Sequence, residues 1–123
     1  MGDYIKITPV NGTVTIRANG AVIGETEHAL ELREGQSDPV LYVPRANMAM
    51  ALLDKTDRQT TCPHKGAASY YSIVTPGATL ENVVWSYETP VAAAAAIAGH
   101  LAFYTNKVTV EQRQSVSLAI RFT

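Results

Sequence analysis

The segment Cys62-Pro63-His64-Lys65-Gly66 is the densest group of residues in this chain whose types could do chemistry. A thiolate is a nucleophile, and His or Lys side chains that converge on a thiol lower its pKa from about 8.5 toward neutrality. In an extended chain, Cys62 and His64 share one face, whereas Lys65 points the other way. Two interpretations stay open: a catalytic Cys62 with His64 and Lys65 as partners, or a small buried cysteine at a strand end.

Lys65 and Gly66 together suggest a second kind of chemistry. A glycine allows a ligand to approach the backbone closely, so an ammonium group beside exposed N–H groups could hold a phosphate or a carboxylate. The segment is not a P-loop, because the glycine-rich lead and the Ser or Thr after the lysine are both missing. The alternative is a turn glycine beside a solvated lysine.

Aromatic residues from several predicted strands could line a pocket with a few polar groups among them. This aromatic set is Tyr42, Tyr70, Tyr71, Trp85, Tyr87 and Tyr104. Such walls are typical of ligand clefts, although aromatic residues are also ordinary core residues. The candidate ligand-binding residues are Tyr42, Arg45, Lys65, Gly66, Tyr70, Trp85, Tyr87 and Glu88.

Metal and serine-hydrolase chemistry have little support in the sequence. Cys62 and the three histidines show no paired spacing such as Cys-x-x-Cys or His-x-x-x-His, so we expect no metal site and no cofactor. No Gly-x-Ser-x-Gly motif occurs, and the serines near the motifs lie inside predicted strands.

Length and charge limit the class of protein. A chain of 123 residues predicts one domain over residues 1–123, and ten basic against eleven acidic side chains create no broad field for nucleic acid or a membrane surface. The single cysteine fits a reducing compartment, and the first residues lack a signal-peptide pattern. The longest apolar stretch, residues 90–99, is about half of a membrane span. We expect a cytoplasmic protein with a small-molecule ligand, and an exposed alanine-rich face could form a homo-oligomer.

Alternating apolar and polar residues predict about eight short strands. They are two strands of a hairpin over residues 13–25, followed by strands at 28–33, 40–43, 67–74, 82–88, 101–104 and 116–122. Alternation in the 82–88 strand predicts one face with Val83, Trp85 and Tyr87, and an opposite face with Val84, Ser86 and Glu88.

Two helices are expected between these strands. Residues 47–54 contain no Gly, Pro or β-branched residue, and Pro44 suits a helix start. Thr89, Pro90 and five alanines predict a second helix that ends at Gly99. Without regular strand-helix alternation, the pattern predicts a mainly β fold of two packed antiparallel sheets, or an open barrel, with two short helices.

Four motifs make residues 42–103 resemble the domain-of-unknown-function family 427, which is also called nucleotidyltransferase-like. They are Tyr42-Val43-Pro44-Arg45; Cys62-Pro63-His64-Lys65-Gly66 with Ala68-Ser69-Tyr70; Trp85-Ser86-Tyr87-Glu88 with Pro90; and Ile97-Ala98-Gly99 with Ala102-Phe103.

The resemblance implies a β-tent-like fold of two packed sheets but no established activity. The residues that it implies as a shared pattern are Tyr42, Arg45, Cys62, Lys65, Gly66, Tyr70, Trp85 and Tyr87. This chain has Ala46-Asn47 where the family often has Glu-Asp, and an amide at Asn47 cannot act as a base. A nucleotide transferase also needs carboxylates for Mg²⁺, and no clustered Asp pair is present.

Three functions remain open from the sequence. The first is a module that binds a small polar or anionic ligand in an aromatic-lined pocket, where Arg45 and Lys65 hold its anionic or polar group. The second is a small enzyme, either nucleotidyltransferase-like or dependent on Cys62, His64 and Lys65 as candidate catalytic residues. The third is a structural or interaction protein whose motifs fix the fold.

Overall fold

A computed structural model describes residues 4–114 of the chain. It contains ten strands, all paired antiparallel. The strands are β1 (Ile5–Pro9), β2 (Thr13–Ala18), β3 (Ala21–Thr26), β4 (Leu30–Glu34), β5 (Val40–Tyr42), β6 (Leu53–Cys62), β7 (Gly66–Thr75), β8 (Ala78–Ser86), β9 (Ala102–Phe103) and β10 (Thr109–Arg113). The strand predicted at residues 116–122 lies outside the described residues.

The strands form three open sheets. The orders are β1-β4-β5, β10-β2-β3 and β6-β7-β8-β9, and the described strands close no barrel. The mainly β class predicted from the sequence is therefore confirmed, with three antiparallel sheets where two were expected.

The four-stranded sheet is covered on both of its faces. One core cluster joins Val14 and Ile16 of β2 to Ile73 of β7 and Val84 of β8. A second cluster joins the first sheet, through Leu32 and Tyr42, to the side chains on the other face. Because β7 is packed on both sides, every residue from Ala68 to Ile73 is buried, which a strand with one solvated face would not show.

Both predicted helical segments are helical only as short 3₁₀ turns. The first segment contains two turns, Arg45–Asn47 and Met50–Leu52, separated at Met48, which is extended with φ −116° and ψ 149°. Met48 pairs with Gly24 in an isolated antiparallel bridge, and Ala49 N–H donates to the Ile23 carbonyl at 2.8 Å. Pairing with β3 outweighs the local helix preference of this segment.

The alanine run makes a 3₁₀ turn over Ala92–Ile97 with a kink at Ala94, where φ is −114° and ψ is 18°. Its ends are held by bonds to other elements: Val91 N–H donates to the Lys65 carbonyl, and Gly99 N–H donates to the Tyr87 carbonyl. These bonds lay the segment across the end of the four-stranded sheet, close to the Lys65 turn.

Candidate functional site

A cavity of about 270 Å³ lies between the first sheet and the four-stranded sheet. Its walls come from β4, β5, β7 and β8, from the loop after β4, from the turn that carries Lys65, and from the segment after β9. The lining residues are Leu32, Glu34, Ser37, Asp38, Val40, Tyr42, Lys65, Tyr70, Trp85, Tyr87 and Tyr104. We call this cavity the aromatic pocket.

Strand alternation places the aromatic side chains on one face of the sheet. Tyr70 of β7 lies opposite Trp85 of β8 in the antiparallel register, and Tyr87 follows two residues after Trp85. Trp85 Nε1–H donates to the Tyr42 hydroxyl at 3.3 Å. The Trp85 and Tyr104 rings are tilted by 52°, with centroids 4.8 Å apart. Trp85 and Tyr87 thus share a face as alternation predicted, whereas Val83, which was predicted on the same face, packs in the first core cluster.

Lys65 forms an ion pair inside the pocket. Its residue is 9% exposed, and its ammonium group donates to Glu34 Oε1 while lying 5.7 Å from the centroid of the Tyr87 ring. Burial lowers the pKa of Lys65, but the hydrogen bond to Glu34, together with smaller charge interactions, outweighs burial and raises the pKa above its usual value. Lys65 therefore stays charged at neutral pH, and Glu34 neutralises it.

Burial raises the pKa of two tyrosines in the pocket, Tyr42 and Tyr87. Tyr87 is 6% exposed, and burial raises its pKa to about 12. Burial likewise raises the pKa of Tyr42, although the Trp85 hydrogen bond and the Lys65 charge act in the opposite direction. Both phenols are hydrogen-bond donors at physiological pH.

Tyr70 has a different environment at the rim of the pocket. Its hydroxyl is hydrogen-bonded to Thr60 Oγ1 at 2.9 Å, and the Arg58 guanidinium lies 4.8 Å from the centroid of its ring. Burial acts to raise the pKa of Tyr70, but hydrogen bonds and the Arg58 charge outweigh burial and lower it. Arg58 thus supplies a positive charge at the rim that the sequence motifs did not indicate.

Arg45 and Glu88 lie in a separate polar network on the opposite face of the sheet. Glu88 Oε2 accepts from the Tyr71 hydroxyl at 2.6 Å and from Arg45 Nη2 at 2.9 Å, and Glu88 Oε1 accepts from Lys55 Nζ at 3.1 Å. Arg45 Nη2 also contacts Ser86 Oγ at 3.3 Å. The Tyr71 hydrogen bond, followed by Lys55 and Arg45, lowers the pKa of Glu88. The structure therefore does not bring Arg45 and Glu88 together with Lys65.

Gly66 positions the Lys65 turn rather than lining the pocket. Its φ of +116° is unfavourable for residues with a side chain, and its Cα faces the backbone of residues 89–91. The close approach of that backbone allows the bond from Val91 N–H to the Lys65 carbonyl.

Cys62 and His64 do not form a catalytic pair in the described part of the chain. Cys62 is half-buried and packs beside the second core cluster, and its carbonyl accepts a hydrogen bond from Lys65 N–H. The exposed His64 ring lies over the Tyr4 ring, with centroids 4.7 Å apart. No hydrogen bond between Cys62 and His64 side chains is present among residues 4–114.

Six pocket residues were not among the ligand-binding candidates: Leu32, Glu34, Ser37, Asp38, Val40 and Tyr104. Tyr104 was in the aromatic set considered from the sequence, but the two acidic residues carried no motif. The available signal was position: Glu34 ends β4, and Asp38 lies in the polar loop before β5. Only the pairing of β4 with β5 brings this loop against Lys65 and Trp85.

Within residues 4–114, two further cavities bear on the candidate residues. One of about 400 Å³ shares Trp85 and Tyr104 with the aromatic pocket and extends along Phe103 and Val110. The other, of about 390 Å³, is polar and is lined in part by His28 and Asn47. The structure thus places Asn47, the position where the resembling family often has a carboxylate, away from Lys65.

Asn47 has a structural partner in its own cavity. Its Oδ1 accepts a hydrogen bond of 2.8 Å from the buried Thr26 hydroxyl, which also accepts from His28 N–H. An amide at this position joins the first 3₁₀ turn to the end of β3.

Two further classes of feature are absent from the described residues. Within residues 4–114, no three His, Cys, Asp or Glu side chains are grouped in a way that could hold a metal ion. No helix in this range has the length and apolarity needed to cross a bilayer.

Comparison with known proteins gives a family but no activity. No curated protein matches the chain. A family model described as Domain of unknown function (DUF427) matches residues 6–114, which extends the resemblance seen at residues 42–103 over most of the chain. The chain therefore belongs to the DUF427 family.

Proposed function

We propose that this domain is a binding module for a small polar ligand, which it holds in the aromatic pocket. The observation that carries the proposal is the convergence of five aromatic residues with the Lys65–Glu34 ion pair on one cavity. Its volume of about 270 Å³ lies just below the range of about 300–1,000 Å³ for sites of drug-sized ligands, which favours a smaller molecule. A cytoplasmic location, predicted from the free Cys62, belongs to the same proposal.

The Lys65–Glu34 ion pair affects which ligand charge the pocket can accept. The sequence suggested that Arg45 and Lys65 hold an anion together, but Arg45 is bound to Glu88 on the other face of the sheet. An anionic ligand would have to displace Glu34 from Lys65, whereas an uncharged polar ligand can bind while the pair stays intact. A polar ligand is therefore favoured over an anionic one.

The Cys62-dependent enzyme has less support. The Tyr4 ring occupies one side of His64, and the Lys65 ammonium is held by Glu34, so neither partner is directed at the thiol by a contact in residues 4–114. A binding module needs neither contact.

A thermal-shift screen tests the proposal. We expect at least one compound among nucleotides, sugars, sugar phosphates, small carboxylates and amines to raise the melting temperature of the wild type, since a ligand that binds only the folded state stabilises it. Tyr104→Ala, which removes a pocket wall, should reduce this shift. The matched control is Tyr4→Ala, because the two tyrosines are similarly exposed and each packs against one neighbouring ring. Tyr4 contacts His64 outside the pocket, whereas Tyr104 contacts Trp85 inside it. Equal shifts in the two variants would contradict binding at the pocket.

A further inference from the structure

The buried cation of the aromatic pocket is neutralised within the protein. Lys65 and Glu34 are paired inside, with side chains 11% and 20% exposed. The third charged lining residue, Asp38, is exposed and lies in the loop before β5, and the exposed Arg58 lies over the Tyr70 ring without lining the cavity. The buried charges of the pocket therefore cancel in the Lys65–Glu34 pair.

This buried ion pair penalises a charged ligand of either sign. A buried ion pair is costly to break, because the partner left behind remains desolvated without its counter-ion. An anion that binds Lys65 would release Glu34, and a cation that binds Glu34 would release Lys65. Arg58 and Asp38 are solvated at the rim, so their contribution to binding an ion is small.

The same pair is well suited to hydroxyl groups. The ammonium of Lys65 has three donors, and the Glu34 carboxylate has two oxygens, so both retain hydrogen-bonding capacity beyond the bond that joins them. A diol can accept from Lys65 with one hydroxyl and donate to Glu34 with the next. The Tyr87 phenol, kept protonated by burial, adds another donor on the same wall.

The lining of the pocket also offers aromatic surface. Tyr104 is 39% exposed and Trp85 is partly exposed, so their rings can cover the apolar C–H face of a small saturated ring. A ligand that has both an apolar face and several adjacent hydroxyls could contact the aromatic rings and the Lys65–Glu34 pair together.

We propose that the ligand is an uncharged, polyhydroxylated ring of monosaccharide size, stacked on Trp85 and Tyr104 and hydrogen-bonded to the intact Lys65–Glu34 pair. This inference rests on the proposed binding function and specifies its ligand class. The nucleotide, carboxylate and amine classes then bind more weakly than the uncharged sugar.

The single tryptophan of the chain is Trp85, so its fluorescence reports directly on the pocket. We would titrate the wild type with D-glucose, D-galactose and D-mannose, and with the uronic acid and the 2-amino sugar of each. The three compounds of each set share the same sugar ring and differ in their charge. The expected result is a saturable change with at least one neutral sugar, and binding of its charged analogues at least about tenfold weaker.

Two variants test the assigned contacts. Tyr104→Ala should weaken sugar binding by about three- to tenfold, while Tyr4→Ala leaves it unchanged. The double variant Glu34→Gln/Lys65→Met removes both members of the buried pair together, so neither is left without its partner, and it should weaken binding at least as much by removing the paired hydroxyl contacts. If the double variant binds the sugar as well as the wild type, the assigned contacts are wrong.

The outcomes separate the ligand class from the binding function. Equal or tighter binding of a charged analogue, or no response to any neutral sugar, would overturn the ligand class. A hit from another class that loses its thermal shift in Tyr104→Ala would leave the binding function standing. Failure of the sugars together with failure of the whole screen would remove both.

Discussion

At the scale of single residues, Lys65 shows that a sequence motif does not reveal which side chain pairs with its charged residue. The sequence placed Lys65 and Arg45 together as holders of an anion, yet each cation is paired with a different glutamate on a different face of the sheet. Alternation along β8 and the residues after it already contained this separation, because it set Trp85 and Tyr87 opposite Glu88. The pairing of Glu34 with Lys65 could not be found in this way, since the two residues are 31 positions apart.

Replacing Lys65 should cost more than replacing a lysine whose ion pair is exposed. Lys65→Met leaves the Glu34 carboxylate largely buried without its partner, and we expect the free energy of unfolding to fall by about 2–4 kcal/mol. Lys55→Met is the matched control, because Lys55 also pairs with a glutamate but is 53% exposed, and it should cost no more than about 1 kcal/mol. Urea unfolding followed by circular dichroism measures both.

The double variant Glu34→Gln/Lys65→Met separates loss of the pair from loss of packing. With both charges gone, most of the stability lost in Lys65→Met should return. A double variant as unstable as Lys65→Met would mean that the lysine stem, rather than the ion pair, stabilises this region.

At the scale of elements, the sequence predicted seven of the ten described strands and missed β1, β6 and β10. The hairpin of β2 and β3 and the strands β4, β5, β7, β8 and β9 overlap predicted strands, although β8 covers Ala78–Ser86 where 82–88 was predicted. The ten-residue β6 was not predicted, because most of its residues are exposed polar side chains and it lies at the edge of its sheet. An edge strand need not alternate to pair with its neighbour, so periodicity carries no signal there.

In the predicted helical segments, local helix preference was given too much weight. The residues from Asn47 to Leu53 favour a helix, but the Met48 backbone pairs with Gly24 instead. Such a bridge depends on a residue more than twenty positions earlier in the chain, which a local pattern does not reveal. Tertiary pairing therefore decided both the type and the length of this element.

Gly66 is the first residue of β7 and directly follows Lys65, so a substitution there tests how the strand positions the site. At φ +116°, an L side chain is strained even though its Cβ would meet only ordinary contacts, the nearest at 3.5 Å. We expect Gly66→Ala to lower the free energy of unfolding by about 1–2 kcal/mol. Gly77→Ala is the control, since its Cβ would also meet its nearest neighbour at 3.5 Å but its φ is not in the positive range.

The control should lie within about 0.5 kcal/mol of the wild type, or slightly above it, because alanine reduces the entropy of the unfolded chain. Chemical denaturation of the two variants in parallel gives the comparison. If Gly66→Ala is no less stable than Gly77→Ala, the positive φ is not what fixes glycine at the Lys65 turn.

At the scale of the whole molecule, two cores meet at a single sheet. The four-stranded sheet contributes side chains to both clusters, so the aromatic pocket lies beside one core while the Arg45–Glu88 network lies on the side of the other. Composition indicated one domain with a sizeable core, and the sheet pattern indicated the fold class. The division of the core by a central sheet follows from pairings distant in sequence, which composition does not contain.

Burial of the pocket tyrosines makes the stability of the whole molecule depend on alkaline pH. Tyr87 has a pKa raised from 10.0 to about 12 in the folded protein, so between these values the unfolded chain loses its proton first. The unfolded state then binds fewer protons than the folded state, and the free energy of unfolding falls as pH rises. The raised pKa of Lys65 acts in the same direction, whereas the lowered pKa of Tyr70 opposes it.

Urea unfolding from about pH 9 to about pH 12 tests this dependence. The contribution of Tyr87 should be fully present below about pH 10, and about 2–3 kcal/mol of it should be lost by pH 12, since each pKa unit corresponds to about 1.4 kcal/mol. Tyr87→Phe cannot ionise and should therefore show a shallower decline than the wild type. Tyr4→Phe, at an exposed tyrosine, should retain the wild-type slope. If Tyr87→Phe declines as steeply as the wild type, its phenol is hydrated in the folded state, and the pocket wall assigned to it is open to solvent.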